Sequence, residues 1–169
     1  MHLDCIHIPP HNIYSRGAVC SFLNQNFESN FKKLFNINYA DWFGLTFPAI
    51  TKEERKTAVP IAVEFSAACD FSQNKKRTNK YILGIMCPPQ LLENVDKEKK
   101  GDYALYLPFS FEYNSNKWRL ALNLNYTFTP ISADLPFNEL PLFILTKELM
   151  DMIGYKYASH ISRIGYTSF

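Results

Sequence analysis

With 169 residues, a formal net charge of +2, 47% hydrophobic and 20% charged side chains, the chain has the composition of one globular domain; disorder is excluded, and charge alone gives no ground for nucleic-acid binding. A chain of this length buries roughly two thirds of its unfolded surface, so it needs neither a disulfide nor a metal to fold. No apolar run reaches the roughly 18 residues that span a bilayer.

The opening MHLDC carries no basic start, apolar stretch or small-residue cleavage site, so a cytoplasmic protein is expected. In that reducing setting Cys5, Cys20, Cys69 and Cys87 are expected as buried or half-buried thiols. Fourteen Phe (14) and ten Tyr (10) against 6 Gly favour pleated sheet.

Residues 1–14 read as an extended segment stopped by Pro9-Pro10. Residues 16–35 read as a helix, with Val19, Phe22, Leu23, Phe27, Phe31, Leu34 and Phe35 on one side and Asn26 as the polar intrusion. Residues 42–50 (WFGLTFPAI) read as a strand in which Pro48 marks an edge or bulge. The charge run 52–56 reads as a solvated turn. A strand over 59–65 (VPIAVEF) follows, with Pro60 at its start and Glu64 interrupting the apolar stretch. Residues 81–87 (YILGIMC) suit a strand buried on both faces and ended by Pro88-Pro89.

Residues 90–100 predict a short helix ending in a charged tract. Segments 103–113 and 118–129 predict a hairpin about the polar loop 114–117. In the second of these, Arg119, Ala121, Asn123, Asn125 and Thr127 alternate with Leu120, Leu122, Leu124, Tyr126 and Phe128, which predicts one core face and one polar face. Residues 142–145 suit a short strand. Thr146 then caps a C-terminal helix over 146–164, with Leu149, Met152, Ile153, Tyr157, His160, Ile161 and Ile164 on its buried side. The element order predicts an α+β domain over 1–169: a strongly curved antiparallel sheet or partly open SH3-like barrel, with an N-terminal and a C-terminal helix.

Four constellations could carry chemistry. The Cys69-Asp70 turn, between two hydrophobic strands, offers a thiol whose pKa Lys75, Lys76 and Arg77 would lower and a carboxylate able to cap the turn or orient a base. His160 is the candidate partner on the last helix. Cys5, His7 and His11 (with His2 and Cys20 nearby) are zinc-type ligands, although no CxxC or established zinc spacing accompanies them; no cofactor is expected. Lys75, Lys76, Arg77 and Lys80 form a basic patch without an intervening acid, which with Gln73 could meet a phosphate backbone. Arg163 could pair with Asp70 or bind phosphate.

Two stretches carry a resemblance. Residues 63–75 (VEFSAACDFSQNK) followed by 81–88 (YILGIMCP), and the ending 149–165 (LMDMIGYKYASHISRIG), resemble a poorly characterised bacterial domain found in response-regulator-like and defence- or signalling-associated proteins. It has a strand running into a cysteine-aspartate-aromatic turn and a closing helix. The resemblance implies no chemistry, and the first 60 residues lack a βα phosphoacceptor pattern. The expected function is a non-catalytic binding or regulatory module, a subunit of a bacterial defence or signalling complex with a protein partner or a second copy. A small nucleic-acid-binding or ribonuclease-like barrel using Asp70, Lys75, Arg77, Arg119 and Arg163 is the alternative, and a zinc-stabilised module the second. The aromatic row Phe22, Phe27, Phe31 and Phe35 motivates the partner, because a small sheet has little area to cover it.

Overall fold

The computed structural model describes residues 6–7, 12–66, 79–93, 103–130 and 135–167, with the side chains of His7 and 163–167 outside that description. Among these residues eight strands and four α-helices follow one another. The strands are β1 (Ile6–His7), β2 (Ala18–Ser21), β3 (Val59–Glu64), β4 (Tyr81–Cys87), β5 (Ala104–Tyr106), β6 (Phe111–Tyr113), β7 (Asn116–Phe128) and β8 (Phe143–Leu145). The helices are α1 (Phe27–Phe35), α2 (Tyr39–Thr46), the single turn α3 (Gln90–Glu93) and α4 (Lys147–Thr167).

All strand pairs are antiparallel, in the order β1-β8-β2-β3-β4-β7-β5, with β6 also on β7. The α+β class and the antiparallel sheet match the sequence expectation, and the sheet stays open rather than closing into a barrel. The strand β4 is buried at every position, as its unbroken apolar run predicts. Helices cover both faces. On one, Cys20, Ala62, Tyr81, Leu83 and Ile85 pack with Phe31, Trp42, Phe43 and Leu92 of the first three helices. On the other, Val19, Ile61, Val63, Ile82 and Leu122 pack with Leu149, Met150 and Ile153 of α4.

Two predicted elements are corrected. The helix expected over 16–35 is instead a strand and then a helix. Gly17 takes φ +86° against Leu145 O and Met150, and Ala18–Ser21 then pairs on both sides. Asn26 takes a left-handed φ of 58°, so α1 begins only at Phe27. The apolar spacing across 19–27 belongs to two elements, and strand pairing outweighs it. The strand expected over 42–50 is the helix α2. Tyr39, Trp42, Phe43 and Thr46 are its buried residues, spaced three to four apart as one helical face. Pro48 marks the helix end: Phe47, before it, leaves helical geometry at φ −127°, ψ 64°, as a residue preceding proline does.

The aromatic row is also accounted for internally. Phe31 and Trp42 are wholly buried. Phe31 meets Phe35, Tyr39 and Trp42 with ring centroids 4.7, 5.3 and 5.8 Å apart, and Phe35 meets Phe128 at 5.1 Å. The edge-on pairs among them, Phe31 with Tyr39 and Phe35 with Phe128, contribute about 0.5–1.5 kcal/mol each beyond area burial. The chain itself therefore covers most of this row.

The long strand β7 departs from its predicted alternation. Leu122 pairs with Gly84 and Thr127 with Ile82, so β7 carries three more residues than β4 between those two pairs. An odd insertion exchanges the faces. Leu120, Leu122 and Leu124 pack on the α4 side, while Tyr126 and Phe128 pack on the α1 side. Gly84 permits the close crossing, since a Cβ there would meet Ala121 O at 2.4 Å and Leu122 Cδ2 at 2.6 Å. The hairpin expected about 114–117 turns on Asn114 and Ser115 alone, both left-handed at φ 50° and 64°, the twist that suits a two-residue loop.

Candidate functional site

The ladder between β2 and β3 runs through Val19–Val63, Cys20–Ala62 and Ser21–Ile61 and then stops. The next β3 residue is Pro60, which has no N–H to donate. Beyond Ser21 the chain stays paired on its other side: Asn138 N–H donates to Ser21 O at 3.0 Å, Leu23 N–H to Pro136 O at 2.9 Å, and Phe22 bridges Phe137. The splayed end thus parts from β3 and opens a cleft of about 850 Å³.

Ser21, Phe22, Val59, Pro60 and Asn138 form the sheet wall of this cleft, and Asn24, Asn26, Phe27, Glu28 and Ser29 form the α1 wall. Asn138 Nδ2 donates to Ser21 Oγ at 2.8 Å and to Phe22 O at 3.4 Å, which fixes the amide and leaves Oδ1 as an acceptor. Asn26 provides no side-chain cap for α1; the Phe27 N–H donates to Asn24 O at 3.3 Å, and the N–H groups of Glu28 and Ser29 are the first-turn donors without an intrahelical acceptor. Glu28 places a carboxylate against that positive helix end. No Lys or Arg lines the cleft. Its chemistry is amide and hydroxyl groups and the Glu28 carboxylate, whose charge the helix end offsets, beside two phenyl rings, suited to an uncharged polar ligand with some apolar surface.

A second cluster lies at the far end of β3. Glu64 is wholly buried. Its Oε1 accepts the Ser66 N–H at 2.8 Å and the Ser66 hydroxyl, whereas Oε2 has no hydrogen-bond partner. Burial pushes the carboxyl up to about 7, and hydrogen bonds from Ser66, Asn79 and Lys80 and the Arg16 charge only partly oppose it. Tyr81, opposite Glu64 in the ladder, donates to Ile13 O at 2.8 Å. Burial and then the Glu64 charge push the Cys20 thiol above its ordinary range; Cys87 is pushed up to about 12 by burial. Neither thiol is a nucleophile in the folded chain.

His160, read from the sequence as a candidate base, is 8% exposed. Its Nε2 donates to Asn125 Oδ1 at 2.6 Å. The β7 insertion presents that asparagine; within it the Asn125 N–H donates to Asn123 Oδ1 at 3.0 Å and Asn123 Nδ2 to Thr46 Oγ1 at 3.0 Å. The chain His160-Asn125-Asn123-Thr46 thus ties α4 to α2 through the sheet, and no carboxylate or thiol belongs to it. Among the described residues this gives His160 a structural role; Cys69 and Asp70, the groups considered with it, lie outside them.

Lys80 is exposed at the start of β4. Arg119 donates from Nε to Leu107 O at 2.6 Å. Cys5, His11, Cys69, Asp70, Gln73, Lys75, Lys76 and Arg77 lie outside the described residues, as do the side chains of His7 and Arg163. Among the described residues no group of three or more His, Cys, Asp or Glu is placed to hold a metal ion, and no helix is long and apolar enough to cross a membrane.

Sequence reasoning missed the cleft, although Pro60 and the pair Asn24 and Asn26 were its signals. Glu64, a lone acid in an apolar strand, was the signal for the buried cluster. No family model, curated protein or solved structure matches the chain.

Proposed function

We propose that the chain is a non-catalytic binding module that holds an uncharged polar segment of a partner protein in the cleft between β2, β3 and α1. The observation that supports this reading is the cleft itself: fixed amide and hydroxyl groups stand beside two phenyl rings, without a nucleophile or a basic residue. Both described thiols are buried and protonated, and His160 is held by an asparagine. A peptide backbone and its amide side chains would find donors at the start of α1 and acceptors at Asn138 Oδ1. The partly buried Phe27 would supply contact area at low entropic cost.

The test is selection of a random heptapeptide phage library on the immobilised chain. The reading expects enriched peptides poor in charge, with affinity falling about tenfold or more on Asn138→Ala, the loss expected of one well-placed contact. Enrichment of acidic or basic peptides, or binding untouched by Asn138→Ala and Phe27→Ala, defeats it.

A further inference from the structure

One guanidinium, that of Arg16, is bonded to Asp151 and to the serine that holds Glu64. Arg16, in the turn before β2, donates from Nε to Ser66 O at 2.9 Å and from Nη2 to Asp151 Oδ1 at 3.1 Å. Ser66 gives its own N–H and hydroxyl to Glu64 Oε1. An unbroken chain of bonds therefore runs from the buried carboxyl through Ser66 and Arg16 to the first turns of α4. Asp151 has a second cation, Lys147, with Nζ 2.7 Å from Oδ2.

Among the described residues the titratable and charged groups around Glu64 are few. They are Cys20 from β2, Tyr81 from β4, Tyr14 and Arg16 from the turn before β2, and Lys80 beyond the strand end. Cys20 and Tyr81 are held neutral by burial, and Lys80 is exposed. Arg16, with its side chain 17% exposed, is the cation already bonded to the same serine. A buried carboxylate needs a paired countercharge and satisfied oxygens, and Oε2 has no hydrogen-bond partner.

We propose that Glu64, Ser66, Arg16 and Asp151 form a proton-operated latch between the end of the sheet and α4. With Glu64 protonated, Arg16 is shared between Ser66 and Asp151. When Glu64 releases its proton to solvent, Arg16 turns to the carboxylate. Asp151 keeps Lys147 and lets the guanidinium go, and α4 loses this ion pair to the sheet end while its apolar packing stays. The raised carboxyl pKa of Glu64 places this exchange near neutral pH.

NMR on the full chain tests it, following the Glu64 Cδ and Arg16 Nε resonances from about pH 5 to 9. Both are expected to titrate with one midpoint, and Arg16 to become flat in Glu64→Gln. Asp151→Asn, at a half-exposed position that leaves the core intact, removes the competitor and should lower the Glu64 midpoint by about half a pH unit or more. An Arg16 resonance that stays flat through the Glu64 midpoint overturns the latch. So does a midpoint unmoved by Asp151→Asn. If Glu64→Gln fails to fold, the Asp151→Asn shift decides alone.

Discussion

Glu64 makes the stability of this chain depend on pH in a direction opposite to most carboxylates. An unfolded glutamate titrates near 4.5, and the folded one near 7. Between those values the folded chain keeps a proton that the unfolded chain has lost, so raising the pH favours unfolding. The stabilisation is fully present below about pH 4.5 and is gone above about pH 7. At about 1.4 kcal/mol per pH unit, the gap corresponds to about 3 kcal/mol; complete burial means little solvent screening reduces it. Glu64→Gln keeps the shape and removes the titration. Urea unfolding of both chains at intervals from pH 4.5 to 8 gives the difference curve, in which Asp151 and the other carboxylates cancel. The wild-type chain should lose about 3 kcal/mol relative to Glu64→Gln across that range. Parallel curves would refute the reasoning, and a wild-type gain with pH would reverse its sign.

Other substitutions test the packing. Tyr39→Phe removes a buried hydroxyl that has no partner and should raise stability by about 1 kcal/mol, read as a higher urea midpoint. Gly84→Ala pushes a Cβ into Ala121 O and Leu122 and should cost about 3 kcal/mol or more, at the upper end of overpacking. Thr46→Val leaves the Asn123 amide buried without its acceptor and should cost about 1–3 kcal/mol in thermal or urea unfolding. Cys20 and Cys87, both buried with raised pKa, should react with a disulfide reagent only at the rate of unfolding. Mass spectrometry of labelled peptides would show this.

The strands were legible where one strand's residues alone determined the pattern. The unbroken run at 81–87, ended by Pro88-Pro89, suited a doubly buried strand, and Thr146 marked the start of α4, where its Oγ1 receives the Leu149 N–H at 3.5 Å. The two misread elements share a cause. In 16–35 and 42–50, aromatic residues at similar spacings served either period, and the deciding facts were nonlocal: the ladder partners of β2, and the aromatic cluster that receives Trp42. The β7 insertion was illegible for the same reason, because its strict alternation continues through the point where the partner strand loses step. Of the site residues, His160 was found by its apolar surroundings, but its asparagine partner depends on that insertion. Glu64 was visible as an anomaly in a strand, whereas the cleft needed the splay of β2, which Pro60 alone does not specify.

Titration of the isotopically labelled chain with a selected uncharged heptapeptide tests the binding reading most directly. Amide resonances of Ser21, Phe22, Asn24 to Ser29 and Asn138, where the cleft lies, are expected to shift together and saturably, while those of Asn125 and His160 stay in place. Shifts centred instead on His160, on Glu64 or on the α4 surface, with the cleft resonances unmoved, would contradict it.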